Sequence, residues 1–291
     1  MIFGLVSNQD KDVGFAFAKR AAAIIRDHGS EAIVNPTYIG TPLGDDPNVR
    51  IATYDACDLL FSIGGDGTFL TAVHQHFVRD IPIIGVNLGS IGFLTEIQPD
   101  QFEDALMHIL NGNYSIENRI QLHVRVTNAS GEEKATGLCL NDVVIARGYL
   151  LHLLTVDFFV DGAYVERLSG DGVIISTPTG STAYSLAAGG PIIMPELDVF
   201  IVTPICPHTL HNRSYVVSEK SIVEIRMKDF HDQPILSLDG RNDIQIDRND
   251  RIFVTRSESP IQIARIGYSN FYQTIRKKIR ARGSFYEDDQ E

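Results

Sequence analysis

Asp58-Leu59-Leu60-Phe61-Ser62-Ile63-Gly64-Gly65-Asp66-Gly67-Thr68 decides the fold of the first half of this chain. The apolar run over 58–63 reads as a buried strand, the third from the N-terminus. It ends directly at two glycines, which let the backbone turn sharply. A helix is predicted from Thr68 to residue 78. Outward from this turn the same rhythm repeats. Residues 2–7 read as a buried strand, 13–28 as an amphipathic helix stopped by Gly29, and 31–35 as a second strand. After the turn, 81–86 is a further short strand. Residues 99–110 form a helix with acids in its first turns and Asn111-Gly112 beyond its end. Apolar strands alternating with helices predict an α/β domain, a parallel sheet with helices on its faces.

From about residue 114 the pattern becomes mostly β. Residues 120–128 alternate, 128–131 is a turn cluster, and 138–146 and 153–160 read as strands. Asp161-Gly162 marks a hairpin. Further strands are expected at 173–176, 215–217, 222–227, 235–238 and 251–255, then a helix over 272–282 and a disordered acidic tail over 286–291. The expected division is 1–112, 113–268 and 269–291.

The chain has 291 residues, 44% hydrophobic and 21% charged, a composition ordinary for a globular protein of two domains. No apolar run approaches the roughly 20 residues that span a bilayer. The N-terminus, Met1-Ile2-Phe3-Gly4-Leu5-Val6, reads as a first strand and not as a leader. Cys57, Cys139 and Cys206 have no paired spacing and are expected to be buried free thiols in a reducing cytoplasm. The formal charge of −12 disfavours sequence-independent nucleic-acid binding. It also means that an anionic ligand needs local compensation from backbone N–H groups, a few basic side chains or a metal ion.

Asp66 is the first chemical candidate. Ligands of open α/β sheets bind at the carboxyl ends of the strands. A carboxylate there can accept a hydroxyl proton, hold Mg²⁺ or cap the helix. Gly67 would let a substrate approach without a Cβ in the way. The chain contains neither a P-loop nor an intact dinucleotide glycine fingerprint. Gly85-Val86-Asn87-Leu88-Gly89-Ser90-Ile91-Gly92 is expected to line the same cleft. Asn141-Asp142 interrupts the apolar run 138–146. The pair suits reading a base edge or a ribose diol, or marks a bulge or strand end.

The densest signal is Ser176-Thr177-Pro178-Thr179-Gly180-Ser181-Thr182-Ala183-Tyr184-Ser185, with six hydroxyls in the nine residues from Thr177. A polar loop this crowded beside a buried strand predicts ligand binding. Cys206-Pro207-His208-Thr209-Leu210-His211 lacks a second ligand cluster, so a polar lining is expected there instead of zinc. His74 and His76 fall on the helix after the glycine turn, where Phe77 suggests packing. The basic run Arg276-Lys277-Lys278-Ile279-Arg280-Ala281-Arg282 reads as a solvated helix face.

Together, Gly64-Gly65-Asp66-Gly67-Thr68, Asn141-Asp142, Gly170-Asp171-Gly172, Thr177–Ser185 and Pro204-Ile205-Cys206-Pro207-His208-Thr209-Leu210 resemble the NAD kinase family over nearly the whole length. The glycine turn also occurs in lipid kinases and phosphofructokinases; the hydroxyl-rich segment does not. The resemblance implies an α/β N-terminal domain, a β-sandwich-like C-terminal domain and an active site in the cleft between them. It implies a homo-oligomer in which a neighbouring subunit can complete the site. The implied reaction moves the terminal phosphoryl of ATP, or of polyphosphate, onto the adenosine-ribose 2′-hydroxyl of NAD, with Mg²⁺ as cofactor.

By the same resemblance Asp66 is the general base and Gly67 gives close approach. Asn141 and Asp142 hold the adenosine part, and Asp171, Thr182, Ala183, Tyr184, Ser185, Leu186 and Ala187 line the dinucleotide site. Two positions depart from the family pattern: Ser214 replaces a proline, and Arg241 stands where glutamine is common. Arg241 is expected to supply positive charge near the phosphates. The rival readings are a lipid kinase and a dinucleotide-binding regulator without turnover.

Overall fold

The computed structural model describes residues 1–75, 80–90, 92–148, 152–209 and 213–283, with the side chains of 75, 242, 243 and 279–283 left aside. The expected positions of His76, Phe77, Leu210, His211, Asn212, the acidic tail and the end of the 68–78 helix lie outside the described residues.

Two compact units emerge, Met1–Asn118 joined by the chain from Ile261 onward, and Arg119–Pro260. This differs from the expected division at 112 and 268. The strand Ile261–Arg265 returns to the first sheet, where Ile263 pairs with Ile83 in parallel, and takes the C-terminal helix Phe271–Gly283 with it.

In the first unit an eight-stranded sheet runs in the order Val49–Ile51, Glu31–Val34, Ile2–Ser7, Leu59–Gly64, Ile83–Asn87, Ile261–Arg265 and Ser115–Arg119. Thr95–Ile97 pairs beside Ile83–Asn87. The four pairings from Val49–Ile51 to Ile83–Asn87 are parallel. Ile2–Ser7 and Leu59–Gly64 are neighbours whose connections leave in opposite directions across the sheet. Their carboxyl ends therefore form the crevice where ligands of such sheets bind. All six residues of Leu59–Gly64 are buried, as the apolar run requires.

The expected helix over 13–28 begins only at Ala16, because Gly14 and Phe15 adopt left-handed conformations with φ of 63° and 56°. Asp12 explains the delay. Its buried carboxylate accepts the N–H groups of Phe17 (2.8 Å) and Ala18 (2.9 Å) and the Ser7 hydroxyl (2.9 Å), satisfying free donors of the first helical turn.

The second unit is two six-stranded sheets. One runs Tyr215–Ser218, Val199–Ile205, Gly172–Ser176, Asp142–Ala146, Ile235–Leu238, Arg241–Gln245. The other runs Ala163–Gly170, Leu154–Val160, Val223–Asp229, Arg251–Arg256, Leu122–Thr127, Glu133–Cys139. The pairings within both are antiparallel. Alternate residues of each sheet, among them Val143, Ile145, Val173 and Ile175 from one and Val124, Val126, Ile225 and Ile252 from the other, meet in one apolar core. That alternation is the signature of a β-sandwich.

The expected strand over 138–146 is in fact two. Glu133–Cys139 belongs to one sheet and Asp142–Ala146 to the other. Leu140-Asn141 is the crossing point, so the polar pair marks a strand boundary. Asp161 (φ 51°) and Gly162 (φ 79°) form the expected hairpin turn.

Candidate active site

Asp66 is the first residue of the helix Asp66–Gln75, earlier than the start expected at Thr68, and Phe69 N–H donates to the Gly65 carbonyl at 3.0 Å. The helix-forming turn thus places Asp66 at the carboxyl end of Leu59–Gly64. Its carboxylate is held from outside the helix. Phe93 N–H donates to Oδ2 at 2.9 Å and Leu94 N–H to Oδ1 at 3.0 Å. A Cβ on Gly92 would stand 2.2 Å from Asp66 Oδ1, so only glycine lets this loop come close enough to present its amides. The glycine-rich loop after Ile83–Asn87 therefore serves Asp66 directly. Lys278 Nζ lies 3.5 Å from Asp66 Oδ2. Its side chain is only 19% exposed, so Lys278 departs from the expected solvated face, on which Arg276 and Lys277 are exposed.

Gly67 faces open space, with nothing within 4 Å of the position its Cβ would take. Beside this turn is a cavity of about 280 Å³ lined by Val6, Ser7, Asn8, Thr37, Tyr38, Thr68 and Thr71. It joins the carboxyl end of Ile2–Ser7 to the first turns of Asp66–Gln75. Thr68 Oγ1 is buried there without a partner among the described residues. Lys11 Nζ comes within 2.8 Å of where a Gly65 Cβ would sit. A wider groove of about 480 Å³ along Phe102–Leu110 involves none of the motif residues.

In the second unit the organising side chain is one that the sequence analysis did not assign. Asp239, at φ 51° in the turn before Arg241–Gln245, is 9% exposed. It accepts three backbone N–H groups: Leu140 at 2.7 Å, Asn141 at 2.8 Å and Asp142 at 2.9 Å. One carboxylate thus fixes the crossing between the two sheets. The signal for it was Leu238-Asp239-Gly240, a hairpin turn whose first residue is acidic.

Around this crossing the hydroxyl-rich segment folds inward. Thr177 Oγ1 donates to the Leu140 carbonyl at 2.6 Å, and Thr177 N–H donates to the Asn141 carbonyl at 2.9 Å. A Cβ on Gly180 would stand 2.1 Å from the Asn141 carbonyl oxygen. Ser181 Oγ donates to the Pro178 carbonyl at 2.6 Å and accepts from Ile193 N–H at 3.1 Å. Ser185 is fully buried with its hydroxyl 3.1 Å from that of Thr203. Thr177, Ser181 and Ser185 are therefore internal braces. Exposed surface comes from Tyr184 and Leu186, at 46% and 36%, and from Ala187, while Thr182 and Ala183 are half-buried.

Asp142 is buried, and its carboxyl is pushed up to about 7, first by burial and then by the neighbouring Asp239 charge. Near neutrality it can donate as well as accept a hydrogen bond. The folded state thus holds this proton more tightly than the unfolded chain, whose value is near 3.8. The stability it confers is complete below about pH 4 and is lost as pH rises through about 7. Asp142→Asn is expected to gain melting temperature relative to the wild type between pH 5 and pH 8. A difference independent of pH would contradict this.

Asp171 precedes Gly172–Ser176, and its carboxylate accepts Arg147 Nε–H at 2.7 Å. Asp142 pairs with Ser176 at the other end of that strand. Five steps of an extended strand separate them by about 17 Å, so the fold does not bring Asp171 to the Asn141-Asp142 crossing. Cys57 and Cys139 are buried as expected, whereas Cys206 is exposed. Among the described residues no cluster of three or more His, Cys, Asp or Glu side chains could hold a metal ion.

Residues 3–114 match the ATP-NAD kinase N-terminal domain, and residues 140–266 match the ATP-NAD kinase C-terminal domain. The NAD kinase of Ruminiclostridium cellulolyticum is 35% identical over 281 residues, covering 96% of this chain and 98% of the relative. That of Caldanaerobacter subterraneus subsp. tengcongensis is 36% identical over 281 residues, covering 96% and 99%. The crystal structure of yeast NADH kinase complexed with NADH superposes with a TM-score of 0.87 at 25% identity, covering 99% of this chain and 90% of that one. An Archaeoglobus fulgidus NAD kinase in complex with ATP gives a TM-score of 0.75 at 26% identity, covering 95% and 99%. With both domains matched in order and relatives aligned end to end, the chain belongs to the NAD kinase family.

Proposed function

We propose that this chain phosphorylates NAD to NADP, taking the phosphoryl group from ATP and placing it on the 2′-hydroxyl of the adenosine ribose. The observation that carries the chemistry is Asp66: one carboxylate, fixed by two backbone N–H groups at the crevice of a parallel sheet. A secondary hydroxyl is a weak nucleophile at neutral pH. Asp66 takes its proton as the hydroxyl oxygen bonds to the terminal phosphorus of ATP and the bridging oxygen leaves with ADP. Most of the remaining acceleration comes from positioning and charge neutralisation.

Asn141 and Asp142 hold the adenosine part of NAD. Asp142, protonated in part near neutrality, can donate to an acceptor nitrogen or oxygen of the ligand. Thr182, Ala183, Tyr184, Leu186 and Ala187 give the surface against which the dinucleotide rests, and Ser185 shapes it from within. Asp171, about 17 Å away along the strand, serves a second copy of the chain in a homo-oligomer. The free thiols, two buried and one exposed, favour a cytoplasmic setting. No described helix is long and apolar enough to cross a membrane.

The cavity between Ser7 and Thr71 suits the phosphates of the donor. The N-terminal turn of Asp66–Gln75 offers N–H groups beside it, and the Lys11 ammonium stands at Gly65, in the turn that leads into that helix. Lys11→Ala is expected to raise KM for ATP about ten-fold while leaving KM for NAD unchanged. Equal KM values in both proteins would remove Lys11 from the donor site. Among the described residues no side-chain cluster would cage a divalent cation, and one carried on the nucleotide phosphates fits the site. When bound, Mg²⁺ would supply neutralising charge, and Asp66, at the carboxyl end of Leu59–Gly64, is a carboxylate that could face it.

The direct test is incubation with NAD, ATP and Mg²⁺, read by an NADP-specific dehydrogenase, with diacylglycerol and sphingosine as control acceptors. Formation of NADP alone is expected. Phosphorylation of a lipid acceptor, or binding of NAD without turnover, would replace this function with a rival.

A further inference from the structure

We infer that Lys278, on the C-terminal helix, is a positioning residue for the Asp66 carboxylate; the inference rests on the role of Asp66 proposed above. Three observations converge on its ammonium. Nζ is 3.5 Å from Asp66 Oδ2. It also lies 4.1 Å from the centroid of the Phe93 ring, the geometry of a cation–π contact. The side chain is four-fifths withdrawn from solvent, at 19% exposure.

Phe93 links these contacts. Its backbone N–H donates to Asp66 Oδ2, while its ring receives the Lys278 cation and packs 6.2 Å, centroid to centroid, from Phe271 at the start of the same C-terminal helix. Lys278 therefore ties together the carboxylate, the loop whose amides hold it, and a helix more than 200 residues away in sequence. In a chain of net charge −12 a half-buried cation beside a lone carboxylate has a specific use. It keeps Oδ2 occupied and fixes the plane of the carboxylate, so the remaining lone pairs point where the hydroxyl proton must go. Without the cation, both the carboxylate and the Phe93 loop lose a restraint.

The test compares Lys278→Met and Lys278→Arg with the wild type in NADP formation, with thermal melting of each. Lys278→Met is expected to lower kcat roughly ten-fold while KM for NAD and for ATP stay within about two-fold. Lys278→Arg, which keeps the charge over the ring, is expected to retain most of the rate, and both variants should melt like the wild type. An unchanged kcat in Lys278→Met would overturn the inference. So would equal losses in both variants, or a loss that tracks a lowered melting temperature, since either marks a purely structural lysine. A raised KM for ATP at unchanged kcat would also overturn it, because the cation would then serve the donor directly. Failure of the wild type to make any NADP would instead defeat the proposed function, so the two failures are distinguishable.

Discussion

Asp66→Asn is expected to lower kcat for NADP formation by about 10³-fold, the scale of losing a positioned general base, while NAD still binds. The amide keeps the size of the carboxylate but not its chemistry. It cannot take the hydroxyl proton, and its NH₂ must face either Phe93 N–H or Leu94 N–H, each of which now donates to a carboxylate oxygen. One of those two bonds is lost, so a small fall in melting temperature accompanies the large fall in rate. The discriminating measurement is single-turnover phosphorylation at saturating NAD and ATP beside a melting curve. A variant that melts within a few degrees of the wild type yet turns over at a comparable rate would exclude Asp66 as the base.

Asp239→Ala is expected to destabilise the second unit strongly. It strands three buried N–H donors, those of Leu140, Asn141 and Asp142, and each such bond to a charged acceptor is worth about 1.5–3 kcal/mol. Removing the Asp239 charge also relieves Asp142, whose carboxyl it pushes up, and this offsets part of the loss. A net cost of about 3–5 kcal/mol is expected, measured by denaturant unfolding at pH 7. Asp239→Asn should cost less. Its Oδ1 can still accept the two N–H groups of Asn141 and Asp142, and only the Leu140 bond is lost. NAD binding should weaken in the same order as stability, because the crossing that carries Asn141 and Asp142 loosens. Equal stability of the wild type and Asp239→Ala would contradict this view of the crossing.

The parallel sheet was legible because buried strands of such a sheet are almost wholly apolar and end at glycine turns, as 58–64 does. Strands whose residues alternate weakly were not. Val199–Ile205 contains Thr203 and Pro204, Ser115–Arg119 is largely polar, and Ile261–Arg265 follows a proline. The return of Ile261–Arg265 to the first sheet is a long-range pairing, on which local propensity is silent. The hydroxyl-rich segment was recognised as special, yet several of its hydroxyls brace the backbone. Sequence distinguishes neither direction for a serine, and only the burial of Ser181 and Ser185 settles it. Asp239 carries no expected role in the sequence, and Lys278 reads there as part of a solvated face, for a related reason. Each acts on a segment far away in sequence, and an acidic turn residue or a basic helical run has a common solvated role that local pattern favours. Asn141-Asp142 lay between two readings, and the change of sheet at Leu140 resolves it as a strand boundary held by a carboxylate.

The proposed function places a phosphoryl group on one particular hydroxyl of NAD. The most direct measurement is phosphorus NMR of the product formed from NAD, ATP and Mg²⁺ by the wild-type chain, with Asp66→Asn in parallel. One new phosphomonoester on the 2′-oxygen of the adenosine ribose is expected, formed with one ADP per phosphate and nearly absent with the variant. ADP released without a phosphorylated dinucleotide, or a phosphate at another hydroxyl, would contradict it.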